Sequence, residues 1–117
     1  MVNKSMLKRG TYVLVNLGKD NAIGSEQAGT RPAIIIQNDM GNKYAPTVIV
    51  VFLTTSNTKT KIPTHVELNE LMNKQSLVLG EQIRTISKKR IIKVYGQASE
   101  ESMKKVDKAL MVSLGLK

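Results

Sequence analysis

The sequence contains no cysteine and only one histidine, His65. Without cysteine the chain can form neither a disulfide framework nor a thiolate nucleophile or a sulfur-ligated metal site. A single histidine also disfavours a zinc site and a Ser-His-Asp triad. His65 itself, between Pro63-Thr64 and Val66, is predicted to be a structural or exposed residue rather than an acid–base catalyst.

Long apolar segments are also missing. The longest uninterrupted apolar run, residues 48–53, is far too short to cross a bilayer. No long apolar h-region follows the basic residues of the N-terminus, so the sequence predicts no signal peptide. The expectation is a cytoplasmic protein, and the length of 117 residues predicts a single domain, residues 1–117.

Acidic residues are scarce relative to basic ones. The chain has 18 Lys and Arg against 9 Asp and Glu, a formal net charge of +9. Such an excess points to a polyanionic partner, which can be a nucleic acid, an acidic protein or an anionic membrane surface. The local cluster Lys88-Lys89-Arg90 is equally compatible with a solvated face, so the overall excess carries the argument.

What the chain does have is β-forming sequence. Six runs rich in β-branched and apolar residues predict strands at 11–17, 32–37, 47–55, 63–68, 76–83 and 90–95. Residues 39–44 allow a helical turn, and residues 69–75 are predicted to be a break with at most one short helical turn. The six apolar residues within the third run are typical of a central strand buried on both faces.

The C-terminal segment has a different pattern. Ser99 can N-cap a helix whose inner face carries Met103, Val106, Leu110 and Leu114, and Met111 is also predicted to pack in the core. The predicted fold is therefore mainly β with a C-terminal α-helix. The expected architecture is a small, strongly bent, mostly antiparallel sheet or partly open barrel, capped by the helix.

A polar loop of about thirteen residues, 18–30, separates the first two predicted strands. Loops of this length in compact domains are usually functional or disordered. This one contains Ser25, Glu26 and Gln27 and delivers Arg31 onto the start of the second strand. A hydroxyl, a carboxylate, a carboxamide and a guanidinium within a few residues are suited to an anionic substrate.

Each of these polar residues has two interpretations. Arg31 either pairs with an acidic neighbour or directs its planar guanidinium at a phosphate, whose oxygens it matches in a bidentate way. Glu26 is either a general base or a group that holds Arg31. Thr54 and Thr55 end the third strand, and one of them would lie beside Arg31 if the second and third strands are antiparallel neighbours.

Several segments together resemble the MazF/PemK toxins, in particular the MazF type of Gram-positive bacteria. They are Arg9-Gly10 ahead of the first strand, GSEQ-x-G-x-RP at 24–32, PTHVE at 63–67 and EQIRTI at 81–86. The likeness covers about residues 7–116. It implies an SH3-like, partly open barrel of the CcdB/Kid/MazF type and a homodimer. It also implies a toxin endoribonuclease that cleaves single-stranded mRNA at a short sequence without a metal or other cofactor.

The resemblance also assigns roles residue by residue. Arg31 and Thr54 fall on the family's catalytic arginine and threonine, and Glu26 falls on an acidic position implicated in some members. The positions in or near RNA-contacting segments are Ser25, Gln27, Thr55, Ser56 and Gln82. The implied partner is an acidic, MazE-like antitoxin peptide, with no membrane partner and with DNA reached only through an antitoxin complex.

Two alternatives remain open at this point. The first is a non-catalytic basic module that binds RNA or an acidic protein. The second is a gyrase poison of the CcdB type on the same fold, although residues 114–117 lack the aromatic tip that such toxins use. The chain also has Thr11-Tyr12 where the family usually has Gly-Asp, which leaves the recognised RNA sequence open.

Overall fold

The computed structural model describes residues 7–18, 29–55 and 62–116. Neighbouring strands in the order β4-β5-β3-β2-β1-β6 pair antiparallel in one sheet. The elements are β1 (Thr11–Asn16), β2 (Thr30–Ile35), α1 (Asp39–Tyr44), β3 (Thr47–Thr54), β4 (His65–Leu71), β5 (Lys74–Ser87), a 3-10 turn (Lys88–Arg90), β6 (Ile91–Gln97) and α2 (Glu100–Leu114). The mainly β prediction with a C-terminal helix is confirmed.

The sheet curls on itself, as the prediction of a partly open barrel requires. Three strands separate β5 from β6 in the sheet order, yet Ile86 of β5 and Ile91 of β6 pack in the same core cluster. We call the side of the sheet that carries this cluster the inner face. Its other members are Leu7, Val13, Val15, Leu17, Ala33, Ile35, Val48, Val50 and Phe52.

β3 lies between β2 and β5 and is buried on both sides, as its apolar run predicts. Val50 and Phe52 point to the inner face, whereas Val51 and Leu53 pack in a second cluster with Val106 of α2. This strict alternation fixes which face each residue of the strand occupies. It therefore also fixes the face reached by the polar residue at the end of β3.

α2 begins and ends as its sequence predicts. The Ser99 side chain accepts a hydrogen bond from the Ser102 amide, and Gly115 closes the helix in the left-handed conformation. Val106 and Leu110 are buried, but Leu114 is 58% exposed and Met111 45% exposed. The prediction that these two residues pack in the core is wrong, because the described part of the chain does not cover the last helical turn.

The predicted break at residues 69–75 is a tight hairpin instead. β4 continues to Leu71 and β5 starts at Lys74, which leaves a two-residue turn. Met72 and Asn73 adopt positive φ values of 52° and 56°. Two left-handed residues give the turn type whose twist matches an antiparallel pair, and the absence of glycine there concealed it.

A buried tyrosine ties the sheet to the start of α2. The Tyr12 hydroxyl donates to Glu70 Oε1 at 2.8 Å, and the Ser99 amide donates to Glu70 Oε2 at 3.2 Å. Burial raises the pKa of Glu70, but the hydrogen bonds from Ser99 and Tyr12 outweigh it and leave that pKa below 4.5. The ionised carboxylate therefore anchors both elements.

Within the described ranges no helix is long and apolar enough to span a membrane.

Candidate active site

Arg31 and Thr54 lie on neighbouring antiparallel strands. Ala33 of β2 is opposite Phe52 of β3. Two residues further along each strand, the same register brings Arg31 opposite Thr54, and both positions are still within their strands. Directly opposed residues have Cβ atoms about 4.5–5.5 Å apart and project to the same face. The continued register therefore predicts that the two proposed catalytic side chains are neighbours on one face.

The pair lies at the rim of the inner face. Arg31 alternates with Ala33 on β2, and Thr54 alternates with Phe52 on β3, and both apolar residues belong to the inner cluster. The core covers Ala33 and Phe52, whereas Arg31 is exposed and Thr54 is half-buried. β3 ends at Thr54, so Thr55 is exposed beyond the strand and is not part of the pair.

Two glycines close the β1–β2 hairpin beside Arg31. The Leu17 amide donates to Gly29 O at 2.8 Å, and the Gly29 amide donates to Gly18 O at 2.6 Å. Both glycines have positive φ, 71° at Gly18 and 73° at Gly29, a conformation that glycine adopts without strain. We call this closure the glycine stalk. The predicted site residues Ser25, Glu26, Gln27 and Ser56 fall at 19–28 and 56–61, outside the described residues.

Gln82 lies in a bulge of β5. Phe52 is opposite Leu79, but the next residue of β3, Val51, is opposite Ile83, so residues 80–82 form an insertion in β5. Ile83 packs against the second cluster, which contains Val51. The bulge interrupts the alternation of faces between Leu79 and Ile83, and counting back from Ile83 places Gln82 on the inner face, the face of Arg31 and Thr54. Gln82 is half-buried there.

A carboxylate ties this bulge to the beginning of β4. Thr64 Oγ1 donates to Glu81 Oε1 at 3.0 Å, and His65 Nε2 lies 3.1 Å from Glu81 Oε2. The His65 side chain is only 9% exposed. Burial raises the pKa of Glu81, but its hydrogen bonds, including those from His65 and Thr64, lower it overall. We call these three residues the Glu81 clasp, and it gives His65 the structural role that the sequence predicts.

Two further arginines, which were not predicted as site residues, lie on the same side of the sheet as the pair. Arg84 is exposed, lies opposite Val50 and therefore projects to the inner face. The Arg90 Nη1 donates to Asn16 O at 3.2 Å, at the end of β1 that pairs with Thr30. Arg84 could have been found from the sequence, because it lies two residues after Gln82 and regular alternation puts both on one face of a strand. Arg90 could not, because its approach to Asn16 depends on the curl of the sheet.

The arrangement is suited to an anionic ligand. A guanidinium binds two phosphate oxygens in a fork, and a neighbouring threonine hydroxyl can donate to a third. Arg90, at the end of β1, and Arg84, opposite Val50 further along the inner face, add positive charge on the same side of the sheet. Among residues 7–18, 29–55 and 62–116, no group of three or more His, Asp or Glu side chains is placed to hold a metal ion.

Comparisons with known proteins identify the family. Residues 8–114 match the family described as PemK-like, MazF-like toxin of type II toxin-antitoxin system. Endoribonuclease MazF of Staphylococcus epidermidis is 50% identical over 114 residues, which cover 95% of this chain and 93% of that protein.

Solved structures have the same fold. An endoribonuclease from Mycobacterial species, in complex with its cognate antitoxin, is 27% identical with a TM-score of 0.78, covering 94% of this chain and 96% of that one. MazF from Deinococcus radiodurans, at 24% identity, has a TM-score of 0.77 over 92% of this chain and 96% of that chain. The family match and the 50% identity together show that the chain belongs to the PemK-like, MazF-like toxins of type II toxin–antitoxin systems.

Proposed function

We propose that this chain is a sequence-specific endoribonuclease toxin that cleaves single-stranded RNA in the cytoplasm, through one domain spanning residues 1–117. The observation that carries the proposal is the cross-strand pair of Arg31 and Thr54 at the exposed rim of the inner face. Its relative in Staphylococcus epidermidis is an endoribonuclease by name, at 50% identity. The excess of positive charge is suited to an RNA substrate.

The proposed reaction is attack of the 2′-hydroxyl on the adjacent phosphorus. A bond forms between O2′ and phosphorus and the bond from phosphorus to O5′ breaks, which gives a 2′,3′-cyclic phosphate and a 5′-hydroxyl. The 2′-hydroxyl loses a proton to a base, the leaving O5′ gains one, and negative charge develops on the non-bridging oxygens. The protein has to support all three changes.

Arg31 is assigned the second and third tasks. Its guanidinium stabilises the charge on the non-bridging oxygens and donates a proton to O5′. It is a poor base, because the pKa of an arginine lies above about 12. Thr54 is assigned a hydrogen bond to a non-bridging oxygen or to the attacking hydroxyl. Glu26 is proposed as the base or as the group that holds Arg31.

Few aromatic rings are available for stacking on RNA bases. Phe52, the only phenylalanine of the chain, is 1% exposed and Tyr12 is 2% exposed, which leaves Tyr44, 69% exposed, and the half-buried Tyr95, so we expect recognition to depend mainly on hydrogen bonds. We assign base and backbone contacts to Ser25, Gln27, Thr55, Ser56 and Gln82. Arg84 and Arg90 supply phosphate attraction around the cleaved bond.

The proposed partners are a second copy of the chain and an acidic, MazE-like antitoxin peptide. The formal charge of +9 favours an acidic peptide electrostatically. A mycobacterial endoribonuclease with the same fold is solved in complex with its cognate antitoxin. An antitoxin that covers the rim of the inner face would block RNA access to Arg31.

A cleavage assay in excess EDTA tests the proposed function. We expect purified protein to cut a long, unstructured, 5′-labelled RNA at a few defined sites, leaving 2′,3′-cyclic phosphate and 5′-hydroxyl ends. Mapping those ends also gives the recognised sequence. Bound but intact RNA would favour a non-catalytic module, and inhibition of DNA supercoiling by gyrase without RNA cleavage would favour the CcdB-type alternative.

Thr54→Val is expected to lower kcat/KM by about 100-fold, because it removes one hydrogen-bond donor to the developing charge while preserving side-chain volume. Thr54→Ser keeps the hydroxyl and should retain most of the activity. Thr47→Val is the matched control, since Thr47 lies at the other end of β3, about 23 Å away along the strand. Equal activity of Thr54→Val and Thr47→Val would exclude a role for the Thr54 hydroxyl.

A further inference from the structure

The three residues of the β5 bulge are not paired with β3. In the register of the described strands, residues 80–82 have no opposite residue on β3, because Leu79 pairs with Phe52 and Ile83 with Val51. A bulge bends its strand and redirects the side chains it carries. Contacts from the other side of β5 are therefore well placed to set the direction of Gln82.

Those contacts come from the residues that lead into β4. The Gly80 amide donates to Thr64 O at 2.8 Å. A Cβ on Gly80 would lie 2.4 Å from that same oxygen, so only glycine permits this approach. Next to it, both oxygens of the Glu81 carboxylate are engaged, one by Thr64 and one by His65. The Glu81 clasp thus holds the bulge from the β4 side.

The clasp does not depend on the charge of His65. A neutral imidazole with its proton on Nε2 donates to a carboxylate, and so does the imidazolium. Hydrogen bonds to an ionised carboxylate are stronger than those between neutral groups. The His65 ring is largely buried, which limits competition from water. These properties suit a fixed geometric constraint on the bulge.

We propose that Glu81 is a positioning residue for RNA recognition, which through Thr64 and His65 sets the direction in which Gln82 meets the RNA. Glu81 lies beside Gln82 in the bulge, and its carboxylate contacts Thr64 and His65 at the start of β4. It acts on the substrate only through its neighbour. The inference rests on the proposed function, because it gives Gln82 an RNA partner.

A double-mutant cycle on RNA binding tests this role. The probe is a fluorescein-labelled single-stranded RNA that contains the mapped site with 2′-deoxyribose at the cleaved nucleotide, and unmodified RNA replaces it if the protein does not cleave. We expect Glu81→Ala to weaken binding about tenfold, which corresponds to one lost hydrogen bond to a charged group. Gln82→Ala should cost about the same, and the double variant should bind within about twofold of Gln82→Ala.

Two further variants separate positioning from general stability. Glu81→Gln keeps an acceptor for Thr64 and a donor for neutral His65, so binding should stay within about threefold of the wild type. Glu67→Ala removes an exposed β4 carboxylate, which Gln75 contacts at 3.2 Å, and should leave the Kd unchanged. If Glu81→Ala does not fold, Thr64→Val replaces it in the double-mutant cycle with Gln82→Ala. That variant removes the hydrogen bond from Thr64 to Glu81.

Kinetics on cleavable RNA complete the test. With Glu81→Ala we expect KM to rise about tenfold while kcat stays within about threefold, because Arg31 and Thr54 do not move. Additive losses in the cycle, an unchanged Kd for Glu81→Ala, or no RNA binding by the wild type would overturn the positioning role. If the wild type binds RNA without cleaving it and the losses in the cycle are non-additive, the nuclease proposal is overturned and the role of Glu81 in RNA binding stands.

Discussion

Arg31→Ala is expected to abolish RNA cleavage, with a loss of at least about 1,000-fold in kcat/KM. The side chain is the proposed source of both charge stabilisation at phosphorus and the proton for O5′. Arg31 is exposed at the rim of the inner face, so the melting temperature should stay close to that of the wild type. Initial rates on labelled RNA and thermal unfolding followed by circular dichroism measure the two effects.

Two control variants show whether the loss is specific. Arg31→Lys keeps the charge but not the planar fork, so we expect activity between those of the wild type and Arg31→Ala. Lys104→Ala removes one positive charge from an exposed position of α2 and should leave cleavage unchanged. Full activity of Arg31→Ala would remove the proposed mechanism.

An RNA with a single 2′-deoxyribose at the cleaved nucleotide is expected to bind with unchanged affinity and to remain intact. Without the 2′-hydroxyl there is no nucleophile for the transesterification, whereas the phosphate and base contacts are preserved. The measurement combines a fluorescence-anisotropy Kd with end-point cleavage over several hours. The same substitution one nucleotide downstream is the control, and that strand should be cut normally.

Cleavage at the modified nucleotide would exclude 2′-hydroxyl attack. The roles of Arg31 and Thr54 would then change, since the two residues would assist attack by water on the same phosphate. The chemical nature of the ends distinguishes the two routes, because water attack leaves no cyclic phosphate. The experiment therefore tests the reaction class separately from the identity of the site residues.

The strands around the site could be predicted from the sequence because their signals are local. The apolar run that makes β3 a central strand and the Arg31-Pro32 step at the start of β2 both depend on neighbouring residues alone. The register between the two strands could not be predicted, since a slip of one residue brings Thr55 opposite Arg31 in place of Thr54. The structure gives the register as far as Ala33 and Phe52, and its continuation brings Thr54 opposite Arg31.

The features that could not be predicted depend on contacts between distant residues. Glu81 and His65 are sixteen residues apart in the chain, and nothing in either local pattern indicates that they meet. The bulge that carries Gln82 is an interruption of pairing with β3 and exists only relative to that strand. Met111 lies close to an apolar face by helical periodicity, but its exposure depends on how far the sheet extends beneath α2.

The glycine stalk lies between the paired strands β1 and β2 and the stretch of chain from residue 19 to residue 28. Its two hydrogen bonds close the hairpin at Gly18 and Gly29, directly beyond the pairing of β1 with β2 that holds Arg31. Doubling the length of a loop costs only about 0.6 kcal/mol of closure entropy. For protein engineering, insertions between the two glycines that spare Ser25, Glu26 and Gln27 are thus a route to altered substrate preference.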